Sequence, residues 1–229
     1  MIPKIIHQIW VGDQSKRPDD LIQTWIDLNP TWKHCLWTED NIPQLKNQEQ
    51  FDAMNELAGK ADILRYELLY EHGGFFIDAD SECINPLDDF LTDNKAFCCW
   101  ENEQIRQGLM SNGYLATEKH SPLAKALIAR IRQYPVEYIA SLPNLTAWKT
   151  VGPLLLTQVT NEEAHDIHVY PSHYFIPKHY SGLEYSGDDK IYFLDTVYDG
   201  YYKIKFGDGV FGKSVPENSY LGETWEVPT

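Results

Sequence analysis

The chain has 229 residues, a hydrophobic fraction of 43% and a formal net charge of −15 at pH 7. This size and apolar content predict one globular domain with a sizeable core, and the acidic charge argues against a nucleic-acid partner because phosphate backbones are bound by excess Lys and Arg. No run approaches the roughly 20 apolar residues of a membrane span, and the chain opens on a strand pattern rather than a signal sequence. We therefore expect no transmembrane segment and a cytoplasmic location.

The first ninety or so residues alternate strand and helix patterns. This alternation predicts an α/β fold with a mostly parallel sheet, whose ligands bind at the carboxyl ends of the strands. The predicted strands are 2–10 and 33–37, and the predicted helices are 19–29, pieces within 41–57, and 58–72. Farther along we expect strands at 95–100 and 113–117 and helices at 121–133 and 152–159.

The helix predicted at 58–72 carries two charged residues beside an apolar stripe. Asp62 and Arg65 lie one turn apart on a face next to that stripe, and Gly73 follows as a residue that can close the helix in a left-handed conformation. The stripe is formed by Leu57, Ala61, Leu64 and Leu68. Asp62 and Arg65 are either part of a site or an ordinary helix ion pair worth about 0.3–0.5 kcal/mol.

A short apolar strand at 75–77 ends in two carboxylates, Asp78 and Asp80. Residues two apart on a regular strand point to opposite faces, so both can bind one ion only if the chain turns at the strand's end. The small, polar segment 81–86 permits that turn. Because carboxylate oxygens are ligands that Mg²⁺ and Mn²⁺ prefer, we expect one of these ions as a cofactor on Asp78 and Asp80. The alternative is a solvated acidic loop.

Three further polar or aromatic residues have two readings each. Trp10 ends the first strand and is either a core residue or a platform for a ligand. His7 is expected to be buried and structural rather than catalytic. Asn112 either touches a ligand or is a turn residue beside Gly113. Four aromatic residues that look exposed could stack on the rings of a ligand, and these are Tyr114, Trp148, Tyr174 and Tyr180.

The stretch KADILRYELLYEHGGFFIDAD, residues 60–80, resembles the core signature of the DXD-type glycosyltransferases of family 32. That family includes yeast-type α-1,6-mannosyltransferases and capsular polysaccharide transferases and is more distantly similar to the clostridial glucosylating toxins. Weaker matches are IPKIIHQIWVG, LNPTWKHCLWTED, LATEKHSPLAKALI and VGPLLLT. The resemblance implies a single GT-A-type, Rossmann-like domain, in which 1–90 binds the nucleotide sugar and 91–229 forms the acceptor side and a C-terminal lid.

The resemblance also implies an activity, namely transfer of a hexose from a UDP- or GDP-hexose to a saccharide or other hydroxyl acceptor, with retention of configuration. Breaking a glycosyl–phosphate bond builds negative charge on the departing diphosphate, which a cation and a guanidinium stabilise. By resemblance, the metal binds Asp80 and Asp78, and the donor sugar and diphosphate contact Asp62 and Arg65. The base packs on Trp10, and the ribose lies near Phe76 and Asp78. Independently of the resemblance, Asn112 is a candidate contact of the donor sugar.

Two features depart from the family pattern or leave it open. Relatives often supply a third metal ligand, a histidine six residues before a tryptophan near the C-terminus, where this chain has Ser219 ahead of Trp225. Glu223, or Ser219 through water, are the alternatives. For the mechanism, front-face attack assisted by the leaving phosphate is favoured over a covalent intermediate, because no residue is singled out as a nucleophile.

Two other functional classes compete with glycosyl transfer. FFIDADSEC approximates the aspartate motif of haloacid-dehalogenase-type phosphatases, with Asp188 and Asp189 as a possible later motif, but such enzymes have no use for the preceding Asp62 and Arg65 helix. A non-catalytic nucleotide-sugar-binding protein is the second alternative, suggested by the missing histidine. The four cysteines lack the paired spacing of a zinc site and are expected to be free thiols.

Overall fold

A computed structural model describes residues 1–179 and 181–195 of the chain. Its strands are β1 (Ile5–Ile9), β2 (Lys33–Trp37), β3 (Gly74–Ile77), β4 (Ser81–Cys83), β5 (Ala96–Asn102), β6 (Arg106–Thr117), β7 (His168–Tyr170) and β8 (Phe193–Asp195). Six of them form one sheet in the order β2-β1-β3-β6-β5-β7, and β4 pairs with β8 in a second, two-stranded sheet.

The large sheet is mostly parallel, as the alternating sequence pattern predicted. β1 runs parallel to both β2 and β3, and β7 runs parallel to β5. Among the described strands of this sheet, β6 alone is reversed, since it pairs antiparallel with β3 and with β5. The carboxyl ends of β1 and β3 therefore lie at the same edge, where a ligand site is expected.

The helices cover both faces of this sheet. They are α1 (Asp19–Leu28), α2 (Gln48–Ala53), α3 (Leu57–His72), α4 (Pro122–Arg132), α5 (Val136–Ala140), α6 (Ala147–Thr150) and α7 (Pro153–Glu162), with short 3₁₀ helices at Gln14–Lys16, Asp89–Asp93 and Ser172–Tyr174. Within the described ranges, none of these helices has the length and apolar character that crossing a bilayer would need.

Two buried apolar clusters form the core, one on each face of the sheet. Residues of α3, α4 and α7 pack with Phe76 on one face, while Trp25 of α1 packs with Phe75 and Ile77 on the other. Neighbouring residues of β3 thus point to opposite faces, as a strand requires. All four residues of β3 are buried, which explains its unbroken apolar sequence.

The helix α3 is more deeply buried than its apolar stripe suggested. Leu57, expected to face the core, is the first residue of the helix and is 52% exposed. From Asp62 to Leu69, however, every residue is buried, including Arg65 and Glu67. The sheet, α2, α4 and α6 all contact this helix, so its polar side chains need partners inside the protein.

The turn from α3 into β3 depends on two glycines, as predicted. Gly73 ends the helix with φ +65°, and its N–H donates to the carbonyl oxygen of Leu69 at 2.8 Å. Gly74 has φ +108°, and a Cβ at that position would lie 2.6 Å from the carbonyl oxygen of Ile5. The backbone therefore passes β1 at a distance that only glycine allows.

Several predicted elements have different bounds. The strand expected at 113–117 is β6, which spans twelve residues from Arg106, because pairing with β5 extends it beyond the short apolar run. The helical pieces expected in 41–57 reduce to the six residues of α2 ahead of α3. All four cysteines are described and carry free thiols, of which Cys35 is partly exposed and the other three are buried.

Candidate functional site

The carboxylates predicted as metal ligands lie where β3 ends. The chain turns immediately after Ile77, because both the N–H and the Oγ hydroxyl of Ser81 donate to the carbonyl oxygen of Asp78, at 3.2 and 2.7 Å. The turn was expected at 81–86, but residues 81–83 form β4, and the reversal occurs over 78–81. Asp78 and Asp80 are both partly exposed at this edge of the sheet.

Arg65 reaches this turn from α3 and lies between two carboxylates. Its Nη2 donates to Oδ1 of Asp62 at 3.0 Å and to Oδ1 of Asp78 at 3.3 Å. Its Nη1 donates to the carbonyl oxygen of Asn112 at 2.5 Å, and the guanidinium stacks on the ring of Phe76, 4.1 Å from the centroid. The Arg65 side chain is only 5% exposed, so this is a buried ion pair rather than a surface one.

Asn112 belongs to β6 and not to a turn, so its turn interpretation is wrong. Its side-chain nitrogen donates to Oδ1 of Asp62 at 2.8 Å and to the hydroxyl oxygen of Tyr66 at 3.0 Å. The Tyr66 hydroxyl in turn donates to the carbonyl oxygen of Gly152, ahead of α7, at 3.3 Å. We call Asp62, Arg65, Tyr66 and Asn112 the inner cluster, and all four are buried.

Burial sets the protonation of the inner cluster. Desolvation raises the pKa of Asp62 to about 6, while Arg65 and the hydrogen bond from Asn112 oppose the rise. Burial likewise raises the pKa of the Tyr66 hydroxyl, which keeps this group a proton donor. The side chain of Asp78 is 35% exposed. Desolvation by the surrounding protein raises the pKa of this carboxyl, and the positive charge of Arg65 opposes the rise.

Two glycines let the carboxylates come this close to neighbouring backbone. A Cβ on Gly113 would lie 2.3 Å from Oδ2 of Asp78, and a Cβ on Gly152 would lie 2.8 Å from Oδ2 of Asp62. Real Cβ atoms do not approach oxygen at such distances, so Gly113 has room for a side chain only if the Asp78 carboxylate moves. At Gly152 the backbone of Trp148 also blocks a side chain, since its Cα would lie 2.7 Å from the new Cβ. Sequence reasoning treated Gly113 only as a turn signal and did not single out Gly152 or Tyr66.

Trp10 follows β1 at the same edge of the sheet and is partly exposed, so it is not a core residue. Its indole N–H donates to the carbonyl oxygen of Asp13 at 3.1 Å. The carboxylate of Glu39, after β2, accepts hydrogen bonds from the N–H of Gly12 and from the side chain of Gln14. We call Trp10, Asp78 and Asp80 the outer edge, because these residues line the rim that solvent reaches.

The residues that could hold a metal ion here are Asp78 and Asp80. Two carboxylates at one turn suit a hard divalent cation, which takes its remaining oxygens from water or a phosphate. Among the residues that the structure describes, no group of three or more metal-binding side chains lies together. The proposed third ligands, Ser219 and Glu223, and most of the expected C-terminal lid lie outside the described residues.

The other aromatic and histidine predictions have mixed outcomes. Tyr114 is a core residue, 1% exposed and packed on Phe193, so the expectation of an exposed ring was wrong; Trp148 and Tyr174 are partly exposed, and Tyr180 lies outside the described residues. His7 is buried as expected. Its Nε2 lies 2.8 Å from the carbonyl oxygen of Gly73, and its Nδ1 accepts from the indole of Trp37.

The segment that carries these residues is similar to part of a known protein family. Residues 15–97, which include α3 and both aspartates, match the family described as glycosyltransferase sugar-binding region containing DXD motif. The chain is 29% identical over 209 residues to inositol phosphoceramide mannosyltransferase 2 of Schizosaccharomyces pombe, covering 87% of this chain and 57% of that protein. It is 27% identical to inositol phosphoceramide mannosyltransferase 3 of the same organism, covering 68% and 44%.

A viral protein and two solved structures extend the comparison. An uncharacterized glycosyltransferase of Acanthamoeba polyphaga mimivirus is 28% identical, covering 77% of this chain and 74% of that protein. The PaToxG glycosyltransferase superposes with a TM-score of 0.55 at 20% identity, covering 71% and 70% of the two chains. The ligand-free glycosyltransferase domain of the YGT toxin gives 0.51 at 12%, covering 73% and 80%.

These two likenesses show the GT-A-type fold. The chain spans only about half the length of the two yeast relatives. The match therefore does not show that this chain has the complete activity of either one. Within these limits the similarities support glycosyl transfer as the class of activity. The resemblance to the DXD-containing glycosyltransferases is confirmed, and residues 15–97 are the part of this chain that is similar to the sugar-binding region of that family.

Proposed function

We propose that this protein is a metal-dependent, retaining glycosyltransferase that moves a hexose from a nucleotide-diphosphate sugar to a hydroxyl acceptor. The observation that carries the proposal is the placement of Asp62, Arg65 and Asn112 in one hydrogen-bonded cluster against Asp78. Glycosyl transfer needs groups that orient a sugar, groups that offset the charge of a leaving diphosphate, and a pocket rim. The inner cluster and the outer edge supply these in adjacent positions.

Asp62 and Asn112 are the proposed hexose-orienting pair. A carboxylate accepts hydrogen bonds from two hydroxyls, and an amide carbonyl accepts from one or two more. Because both side chains are buried and bonded to each other, little side-chain freedom is lost when a sugar binds. Preorganised groups of this kind favour the transition state because they need not rearrange during the reaction.

Arg65 has a different proposed role from the direct phosphate contact that the resemblance implies. Its guanidinium already donates to Asp62, to Asp78 and to the carbonyl oxygen of Asn112, so its hydrogen bonds are used within the protein. We propose that Arg65 fixes these carboxylates and adds a positive charge behind the leaving diphosphate. The ring of Phe76 packs against the guanidinium. Contact between Phe76 and the ribose stays a prediction.

Asp78 and Asp80 would hold the divalent cation at the outer edge. When bound, Mn²⁺ or Mg²⁺ supplies charge neutralisation for the departing diphosphate. Oδ1 of Asp78 accepts a hydrogen bond from Arg65, and Oδ2 lies against Gly113. Because the side chain is still partly exposed, this carboxylate can bind both the protein and an ion. Trp10, at the same rim, is proposed to pack against the nucleotide base.

The relatives suggest which donors to test first. Two of them are named inositol phosphoceramide mannosyltransferases, and the YGT toxin domain has also been solved with UDP bound. We therefore propose GDP-mannose and UDP-hexoses as candidate donors and a glycan, lipid-linked saccharide or protein hydroxyl as acceptor. A role in polysaccharide biosynthesis, the front-face mechanism and the cytoplasmic location stay predictions.

The experiment that tests the proposal measures release of nucleotide diphosphate from a panel of nucleotide sugars in chelator-treated buffer with added Mn²⁺. We expect slow release from one donor by the wild-type protein. Asp80→Asn should abolish it while leaving the melting temperature close to wild type, because Asp80 lies at the rim. The matched control is Asp27→Asn, an exposed aspartate on α1 bonded to Gln23, which should keep full activity.

The same assay separates the two alternative classes. A phosphatase would cleave p-nitrophenyl phosphate and spare the nucleotide sugars. A non-catalytic binder would be stabilised against heat by one nucleotide sugar but would release no diphosphate. Wild-type turnover by Asp80→Asn would remove the metal from the proposal.

A further inference from the structure

We propose that Tyr66 is a positioning residue that acts through Asn112 to hold the hexose-binding carboxylate Asp62 in its reactive orientation. The inference rests on the proposed function, and it assigns to Tyr66 a role for which no ligand contact is needed. Tyr66 is fully buried in α3, so its hydroxyl meets other protein groups and not the sugar.

The direction of the hydrogen bonds is fixed by chemistry. Oδ1 of Asp62 already accepts from Arg65, so it is an acceptor, and the Asn112 atom that faces it at 2.8 Å must be the amide nitrogen. The second hydrogen of that nitrogen points to the Tyr66 oxygen at 3.0 Å. The Tyr66 hydrogen is then directed to the carbonyl oxygen of Gly152, which can only accept.

These hydrogen bonds determine which end of the Asn112 amide, the nitrogen or the oxygen, is available to a ligand. Both amide hydrogens are used by Asp62 and Tyr66, and no described residue donates a hydrogen bond to Asn112 Oδ1. Within the described part of the chain, the carbonyl oxygen of this amide thus has no donor, and we assign it to accept from a sugar hydroxyl. Without the Tyr66 oxygen, one amide hydrogen loses its acceptor. An unsatisfied buried donor is unfavourable, so rotation of the amide away from this orientation becomes less costly.

The Tyr66 hydroxyl also joins three elements around Asp62. It links α3 to β6 through Asn112, and to the turn before α7 through Gly152, a residue 86 positions away in sequence. That turn is the backbone against which Oδ2 of Asp62 packs. Loss of one oxygen atom would thus loosen both the amide that holds Oδ1 of Asp62 and the backbone that confines Oδ2.

The test compares Tyr66→Phe with wild type on two pairs of probes, GDP-mannose against GDP and UDP-glucose against UDP, all with Mn²⁺. If Tyr66 positions the hexose-binding groups, turnover of the active nucleotide sugar should fall by roughly tenfold, the effect of one hydrogen bond. The Kd of the matching nucleotide diphosphate, which lacks the hexose, should not change. A purely structural role would weaken both or neither.

The control variant is Tyr192→Phe. Tyr192 is also buried, and its hydroxyl donates to Oδ2 of Asp88 at 2.7 Å, far from the inner cluster in the hydrogen-bond network. This variant also loses one hydrogen bond of a buried tyrosine, so its melting temperature should fall. Its turnover of the nucleotide sugar and its Kd for the nucleotide diphosphate should both stay at the wild-type values.

A second measurement needs no substrate. Hydrogen exchange of the Asn112 side-chain amide, followed by NMR, should be faster in Tyr66→Phe and unchanged in Tyr192→Phe. Unchanged exchange in Tyr66→Phe overturns the positioning role, and so does an equal loss of nucleotide-sugar turnover and diphosphate affinity. If wild type turns over no nucleotide sugar, the proposed function fails, and the exchange measurement alone decides the role of Tyr66.

Discussion

The inner cluster and the outer edge lie within one site but differ in how their polar groups are satisfied. Around Arg65 the side chains are buried, and their hydrogen bonds run to one another and to backbone carbonyls. Trp10, Asp78 and Asp80 are partly exposed at the rim. The geometry of the inner cluster is therefore set by contacts within the protein, whereas the side chains of the outer edge can change partners when a ligand or ion arrives.

Substitution of Arg65 should break the inner cluster most severely. Arg65→Met leaves Asp62 and Asp78 facing each other without the guanidinium, and loss of one partner from a buried ion pair costs about 3–5 kcal/mol of unfolding free energy. Urea denaturation should show that loss, and donor turnover should vanish. Arg130→Met is the control, because the Arg130 pair with Glu162 is at the surface and is worth about 1 kcal/mol or less. Equal stability losses in the two variants would contradict the account.

Gly113→Ala should separate catalysis from stability. The new Cβ would lie 2.3 Å from Oδ2 of Asp78. Because the Asp78 side chain is 35% exposed, this oxygen can turn toward solvent while Oδ1 keeps its hydrogen bond from Arg65. Misplacement of a reacting group by about 1 Å can lower the rate about 100-fold. We therefore expect a large fall in kcat with a melting temperature near that of wild type.

The control for Gly113→Ala is Gly108→Ala. Gly108 has φ +78°, and a Cβ at that position would have no other atom within 4 Å, so alanine there introduces backbone strain of about 1–2 kcal/mol without touching the site. This variant should lose stability and keep its turnover. The opposite pattern, with Gly113→Ala active and Gly108→Ala inactive, would show that the packing of Asp78 against Gly113 has no catalytic role.

The smallest predicted effect is a shift in pH dependence. Asp62 has a pKa of about 6, so kcat/KM should fall as the pH drops below that value and the carboxylate is protonated. The hydrogen bond from Asn112 lowers this pKa, and its removal in Asn112→Ala should move the acid limb of the profile to higher pH. Rate profiles of both proteins measure the limb, and a shift to lower pH in the variant would contradict the assignment to Asp62.

The inner cluster was only partly predictable from sequence. Local spacing placed Asp62 and Arg65 on one helix and Asp78 at a strand end, and the structure brings these three together. The contribution of Asn112 depends on β6 pairing with β3, and that of Tyr66 on a carbonyl 86 residues away. Neither contact leaves a local pattern, because both arise from tertiary packing.

Burial was the other quantity that sequence patterns misjudged. Periodicity assigned α3 one apolar stripe, yet the sheet and three helices enclose it from Asp62 to Leu69, while Leu57 at its first turn is exposed. Tyr114 was taken for an exposed ring, but the long strand β6 carries it into the core. An apolar or aromatic residue has the same sequence signature in both settings, so only the packing of neighbouring elements decides.

The most direct test of the account is a crystal structure with Mn²⁺ and a nucleotide diphosphate, with the ion located by its anomalous scattering. We expect a manganese peak bound by carboxylate oxygens of Asp78 and Asp80 and bridged to the diphosphate, with Arg65 still between Asp62 and Asp78. A nucleotide bound without manganese at these aspartates, or bound elsewhere on the protein, would contradict it.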